Sequence, residues 1–175
     1  MIRKAEWKDL DAVEQSYVEL LLHEKEHGAY TVWELGVYPT RATAEQALDS
    51  GALYVLEQDG ELYGSIIIDQ VQPGEYSQIE WPCRAEPEEV LVVHLLCVRP
   101  SKAGRGAGRA LVEYAAELGK RRRLRAVRLD TGAQNTPAVA LYQKLGFELA
   151  GSKAMAIGGV IAHKDHLFFE KRLSG

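Results

Sequence analysis

Nine consecutive residues, Val90 to Val98 (VLVVHLLCV), are apolar apart from one histidine, and a glycine-rich segment follows them at once. A strand with one wet face would alternate polar and apolar residues, whereas an unalternated, β-branched run suits a central strand covered on both sides. Such a strand needs neighbours in a sheet and helices over its faces, so this run demands a layered architecture of sheet and helices. The chain of 175 residues is long enough for one domain with a substantial core and short for two. It contains no internal repeat and no low-complexity linker, and a single continuous domain over 1–175 is expected.

The flanking segments fill in that architecture. Ile2 to Ala5 reads as a short opening strand, and Asp9 as the cap of a helix running to about Glu26, with Leu10, Val13, Tyr17, Leu20 and Leu21 as its apolar stripe. His27 to Thr40 is irregular and aromatic, and Thr43 is expected to open a short helix ending near Ser50-Gly51. Leu53–Glu57 and Leu62–Asp69 flank a Gln-Asp-Gly-Glu turn, a strong hairpin signal. Pro73, Gly74, Pro82 and Pro87 interrupt the next stretch, which reads as a long loop with a fragment of strand. Beyond the central strand, a helix is expected over Ala110–Lys120, a strand over Val127–Asp130, a helix over Thr136–Leu145 closed by Gly146, a strand from Phe147, and a last strand over His166–Lys171.

Between the buried strand and its helix lies Arg99-Pro-Ser-Lys-Ala-Gly-Arg-Gly-Ala-Gly-Arg109. Gly104, Gly106 and Gly108 remove the β-carbons that would hold a ligand away from the backbone. Successive N–H groups of Ala103, Gly104, Arg105, Gly106, Ala107 and Gly108 can then face one anion, with the positive end of the helix dipole behind them. Lys102, Arg105 and Arg109 add charge at the rim. The pattern is neither the dinucleotide-binding GxGxxG nor the nucleoside-triphosphate P-loop, because Arg109 replaces the third glycine and no Gly-Lys-Ser/Thr follows. It reads either as a pyrophosphate site or as a flexible connection.

Downstream stands Leu129-Asp-Thr-Gly-Ala-Gln-Asn-Thr-Pro-Ala-Val-Ala-Leu-Tyr-Gln-Lys-Leu-Gly-Phe147. Here Asn135, Ala138, Leu141, Tyr142, Leu145, Gly146 and Phe147 fit, without a gap, the NxxAxxLYxKLGF segment of the GNAT superfamily of N-acetyltransferases, which the chain resembles over roughly residues 90–150. The glycine loop is similar to the same family's pyrophosphate motif in its glycines, with Ala103 standing where that motif commonly carries Arg or Gln. The resemblance implies an α+β (mixed α/β) fold: a central mixed, mostly antiparallel sheet splayed in the middle, with helices on both faces.

It also implies acetyl-coenzyme A as co-substrate, with no metal. Its pantetheine arm would run along the backbone of Leu96, Cys97 and Val98, its pyrophosphate would sit on the loop, and Asn135 would contact it or hold the following helix, with Ala138 beside them. The reaction implied is direct transfer of acetyl to a primary amine. An alkylamine with a pKa near ~10.4 is neutral in only about one molecule in a few thousand at pH 7, so a base is needed, and the departing thiolate benefits from an acid. Tyr142 is the expected acid, although its helical position alone would make it core. His94 titrates in the useful range and is the expected base, with Glu80, Glu88 and Glu89 as alternatives. A non-catalytic acyl-coenzyme A sensor on the same fold is the competing reading.

The remaining features bound the partners. A net charge of −4 argues against a nucleic-acid coat, no apolar run approaches a membrane span, and the N-terminus lacks an apolar h-region, so a cytoplasmic protein is expected. Cys83 and Cys97 have no metal spacing and read as reduced thiols, Cys97 as packing. Lys120 to Arg125 is a basic helix end favoured by the dipole, and His163-Lys-Asp-His166 a turn before the last strand. The acceptor, a small molecule or a peptide end, would be shaped by Tyr30–Tyr38, Gln72–Pro87 and Met155–His166. A homodimer through the sheet edge or the C-terminal strands is possible.

Overall fold

The computed structural model describes residues 1–174. Its strands are β1 (Ile2–Lys4), β2 (Leu53–Gln58), β3 (Glu61–Asp69), β4 (Val90–Val98), β5 (Ala126–Gly132), β6 (Glu148–Ile157) and β7 (Ile161–Arg172). They form one seven-stranded sheet in the order β1-β2-β3-β4-β5-β7-β6, antiparallel throughout except where β4 runs parallel to β5. The helices are α1 (Leu10–His27), α2 (Arg41–Asp49), α3 (Ala107–Arg121) and α4 (Thr136–Lys144). None of the described helices is long and apolar enough to cross a membrane.

The unalternated run does what its composition demands. Leu91 and Val93 of β4 pack with Leu111, Val112 and Ala115 of α3, while Leu95 and Cys97 pack with Leu10, Val13 and Tyr17 of α1. Val90 and Val92 join a third cluster with Tyr76, Met155 and Phe168. The β2–β3 hairpin turns through Asp59 and Gly60, at φ 54° and 77°, the left-handed pair that a two-residue turn needs to match strand twist. Gly64 has no room for a side chain, since a β-carbon there would lie 2.6 Å from the Cys97 carbonyl oxygen.

Two irregularities shape the centre of the sheet. The β4–β5 ladder runs from Val90↔Ala126 to Val93↔Leu129 and stops, while β5 continues against β7 to Gly132↔His166 and β4 against β3 to Val98↔Gly64. The sheet therefore opens beyond Val93, and the β5-side edge of β4 is left without a strand partner among the described residues. The β3–β4 register also slips, with Ile67 opposite Leu95 and Ile68 opposite Val93, so His94 is the extra residue of a bulge. A bulge re-aims its side chain relative to the regular pleat.

Several differences from the sequence reading have local physical causes. Helix α2 begins at Arg41, because the Thr40 N–H donates to Thr43 Oγ1 at 3.0 Å and makes Thr43 the third residue of a capping box rather than the cap. Residues 72–89 hold no strand; two short 3-10 segments, Gly74–Gln78 and Pro87–Glu89, carry the chain across. Helix α3 starts at Ala107, since Gly106 at φ 78° serves as its N-cap and draws the end of the glycine segment into the first turn. Strand β7 starts at Ile161, so His163–His166 is strand and not turn: the pairs Met155↔His163 and Lys153↔His166 with β6 outweigh its polar composition.

Candidate functional site

The glycine loop is anchored before it turns. Glu19 of α1 accepts from Arg99 Nη2 and from the Ser101 N–H, each at 3.1 Å, which fixes the exit from β4. The Ala103 N–H donates to the Pro100 carbonyl at 3.1 Å, so that amide is spent inside the loop. The N–H groups of Gly104, Arg105, Gly106, Ala107, Gly108 and Arg109 have no acceptor among the described residues. These six unengaged donors lie at and just before the N-terminus of a fifteen-residue helix, an arrangement able to cradle an anion. The rim cations are engaged elsewhere: Lys102 pairs with Glu61, Arg105 Nη1 donates to the Tyr63 hydroxyl at 3.2 Å, and Arg109 pairs with Glu113 at 2.9 Å. Backbone, not side-chain charge, supplies the cradle.

From the cradle the open edge of β4 leads back to a cleft of about 100 Å³ lined by His94, Leu95, Leu96, Leu129, Asp130, Asn135, Ala138 and Tyr142, among others. Val98 packs on the α3 side at its far end. Asn135 caps α4, its Oδ1 accepting from the Ala138 N–H at 3.3 Å, which is the helix-holding half of the role expected for it. That cap and Gly146 at φ 89° set the orientation of α4, which carries Tyr142 into the cleft. The Tyr142 ring packs on Phe147 and Phe169 at 5.8 and 6.0 Å, and its hydroxyl has no protein partner among the described residues. Burial pushes its pKa well up, and the nearby Asp130 carboxylate pushes the same way, so the phenol stays protonated.

His94 sits where this cleft meets a second cavity of about 400 Å³. The second cavity is walled by α2 (Ala42, Thr43, Gln46), by Tyr38, by Asp69 at the end of β3, and by Gly158 and Val160 in the β6–β7 turn. His94 Nε2 lies 2.5 Å from Asp69 Oδ1, and both side chains are partly exposed. Glu80, Glu88 and Glu89 line neither cavity, and Glu89 instead accepts from the Glu86 N–H at 2.9 Å. The aromatic segment contributes Tyr38 to the larger cavity and Trp33 to the cleft.

Asp69 and Asp130 are the groups that sequence reasoning missed. Asp130 Oδ1 accepts from the Tyr76 hydroxyl at 2.6 Å, Asp130 Oδ2 lies 3.1 Å from His166 Nε2, and His166 Nδ1 lies 3.0 Å from His163 Nδ1. Desolvation lowers the His163 pKa, and His166 adds to that effect. Neither aspartate carries a local signal, because each acquires its partners only through strand pairing and loop packing. Cys97 is buried, with Sγ facing the Ser16 carbonyl at 3.7 Å; burial pushes its thiol up to about 12, which leaves it a packing residue.

Mycothiol acetyltransferase of Cellulomonas flavigena is 34% identical over 140 residues, spanning 80% of this chain but only 38% of that protein. A streptothricin acetyltransferase of Escherichia coli is 33% identical over 96 residues, 54% of this chain and 51% of the relative. The chain thus spans about half or less of the length of these relatives. A solved Salmonella typhimurium chain, described with its cofactor acetyl-CoA, superposes with a TM-score of 0.72 at 17% identity, over all of this chain and 94% of its own. The model of the acetyltransferase (GNAT) family matches residues 10–147, which hold the bulged strand, the amide cradle and the helix bearing Tyr142, and the chain belongs to that family.

Proposed function

We propose that this protein transfers the acetyl group of acetyl-coenzyme A to the amine of a small molecule. The observation that carries the reading is the continuity of one surface: an unpartnered edge of β4 leads from the cleft at Tyr142 to six unengaged N–H groups at Gly104–Arg109. An extended, amide-bearing arm can add to such an edge as a strand does, and a pyrophosphate suits the amide cradle. Leu96, Cys97 and Val98 would hold the arm through their main chain, and the loop amides would hold the phosphates. The absence of Arg or Gln at Ala103 matters little where backbone N–H groups do the binding.

Acetyl-coenzyme A supplies an activated thioester. The chain's own part is to order the acceptor and to move two protons. With Nε2 engaged by Asp69, Nδ1 of His94 is the nitrogen left to take the proton of the incoming amine. Asp69 holds the ring in place, as a carboxylate behind a catalytic imidazole does. The Tyr142 hydroxyl, kept protonated by burial, donates to the departing thiolate as the carbon–sulfur bond breaks. The larger cavity, which shares His94 with the cleft, accommodates an acceptor of small-molecule size. The names of the two relatives, mycothiol and streptothricin acetyltransferase, support a small acceptor over a peptide end.

Calorimetric titration tests the cofactor half of this reading. Acetyl-coenzyme A is expected to bind at one site per chain, with ATP and NAD at least ten-fold weaker. Equal affinity for all three would reduce the cradle to a general phosphate site.

A further inference from the structure

We propose a second anion site, at the opposite end of the sheet from the glycine loop, that takes a small molecule carrying a diphosphate or comparably dense phosphoryl charge. It is a cavity of about 390 Å³ lined by Cys83, Arg84, Arg123, Leu124, Arg125, Arg172 and Leu173. Register fixes its place: Arg125 immediately precedes Ala126, which pairs with Val90 at the start of β4 and with Arg172 near the end of β7. The glycine loop follows Val98, at the other end of β4.

Four of the seven lining residues are arginines and none is acidic. Among the described residues Arg84, Arg123 and Arg172 form no ion pair, and Arg125 has only Glu89 Oε2 at 3.9 Å. The four side chains are exposed, and in a chain of net charge −4 they concentrate positive potential on this face, which favours an anion there. The guanidinium fork matches phosphate oxygens two at a time, and the cavity volume lies in the range of small-ligand sites.

The backbone provides an independent sign. Helix α3 ends in a Schellman arrangement, in which the Leu124 N–H donates to the Gly119 carbonyl and the Arg123 N–H to that of Lys120, each at 2.9 Å. The residue after the cap in this motif takes a left-handed conformation and is usually glycine. Arg123 occupies it at φ 59°. A long cationic side chain held in a conformation that glycine would adopt without strain points to selection for the guanidinium rather than for the turn.

The floor is rigid. The Cys83 N–H donates to Glu170 Oε1 at 2.7 Å, the Cys83 carbonyl accepts from Arg128 Nη2 at 3.0 Å, and Arg128 and Glu170 pair with each other at 2.8 Å in nearly complete burial. Arg172 Nη2 donates to the Pro82 carbonyl at 3.0 Å, which presents its guanidinium from the β7 side. The run Lys120–Arg125 thus divides. Lys120 and Arg121 end the helix, as the dipole favours, whereas Arg123 and Arg125 lie beyond it and face this cavity.

The test uses inorganic pyrophosphate as probe, by calorimetry, on protein saturated with coenzyme A so that the glycine loop is occupied. One further equivalent is expected to bind, weakening as salt rises. Arg123→Gly is expected to weaken it at least ten-fold while raising the thermal midpoint of the free protein, and Arg172→Gln to weaken it without raising that midpoint. The opposed effects of Arg123→Gly separate ligand contact from damage to the fold. Absence of uptake, or unchanged affinity in both variants, overturns the proposal. The outcome does not depend on acetyl transfer, since neither arginine lines the cleft at Tyr142 or the cavity at His94.

Discussion

His94 Nε2 lies 2.5 Å from Asp69 Oδ1, so the extra residue of the β4 bulge is gripped by the last residue of the neighbouring strand. The bulge turns the imidazole to the junction of two cavities, and the carboxylate fixes its tautomer. General base catalysis contributes about 10²–10⁴ in rate, and His94→Gln is expected to lower kcat/KM within that range while the Kd for acetyl-coenzyme A changes less than about three-fold. Asp69→Asn should give a smaller loss with an altered pH profile. Unaltered kcat/KM in His94→Gln would move the base elsewhere, with Asp130 the next group to test.

Alkaline pH should destabilise the protein in a defined window. Burial raises the pKa of Tyr38 to about 12 and of the Cys97 thiol to about 12, and those of Tyr17, Tyr76 and Tyr142 also rise. Each group binds its proton more tightly folded than unfolded. Its contribution is therefore complete below the unfolded pKa, roughly 8.5 for a thiol and 10 for a phenol, and is lost as pH rises toward the folded value. Chemical denaturation should give the same midpoint at pH 7 and 8 and a clearly lower one at pH 11. A flat profile to pH 11 would contradict the burial of these phenols.

The Arg128–Glu170 pair carries the underside of the sheet, with side chains 5% and 1% exposed. Removing one member leaves a buried uncompensated charge, at a cost of about 3–5 kcal/mol. Glu170→Gln should show that loss in urea unfolding, and at temperatures where the variant remains folded its acetyl-coenzyme A affinity should be unchanged. A loss below about 1 kcal/mol would mean that solvent reaches the pair.

Gly106 caps α3 at φ 78°, with nothing within 4 Å of where a β-carbon would stand. The penalty for Gly106→Ala is then one of backbone conformation alone, about 1–2 kcal/mol. A realigned cradle should weaken acetyl-coenzyme A at least ten-fold. Normal affinity in this variant would show that the phosphates do not depend on these amides.

Much of the architecture was legible because its signals are local. Composition marked β4 as central, Asp59-Gly60 marked the hairpin, Gly146 marked the end of the helix from Thr136, and the family resemblance at Asn135, Ala138 and Tyr142 placed that helix beside the cleft. The boundaries that moved did so where local chemistry gave way to pairing: Thr43 became the third residue of a capping box, and His163–His166 became strand through its register with β6. Asp69 and Asp130 were hidden for the same reason, since residues 25 and 36 positions from His94 in the chain meet the cleft only after the sheet has formed. The anion cavity draws Arg84, Arg123 and Arg172 from three separate segments, and only its basic run was visible beforehand.

The central claim is a group transfer with a protonated phenol at the departing sulfur. The direct measurement is release of free coenzyme A thiol from acetyl-coenzyme A in the presence of a panel of small primary amines, for the native chain and for Tyr142→Phe. The account predicts amine-dependent release by the native chain, and a loss of about 10²-fold or more in kcat for Tyr142→Phe with little change in acetyl-coenzyme A binding. Tight binding of acetyl-coenzyme A without thiol release for any amine would contradict it and leave the protein a binding module. Full activity in Tyr142→Phe across the pH range would contradict the role assigned to the phenol.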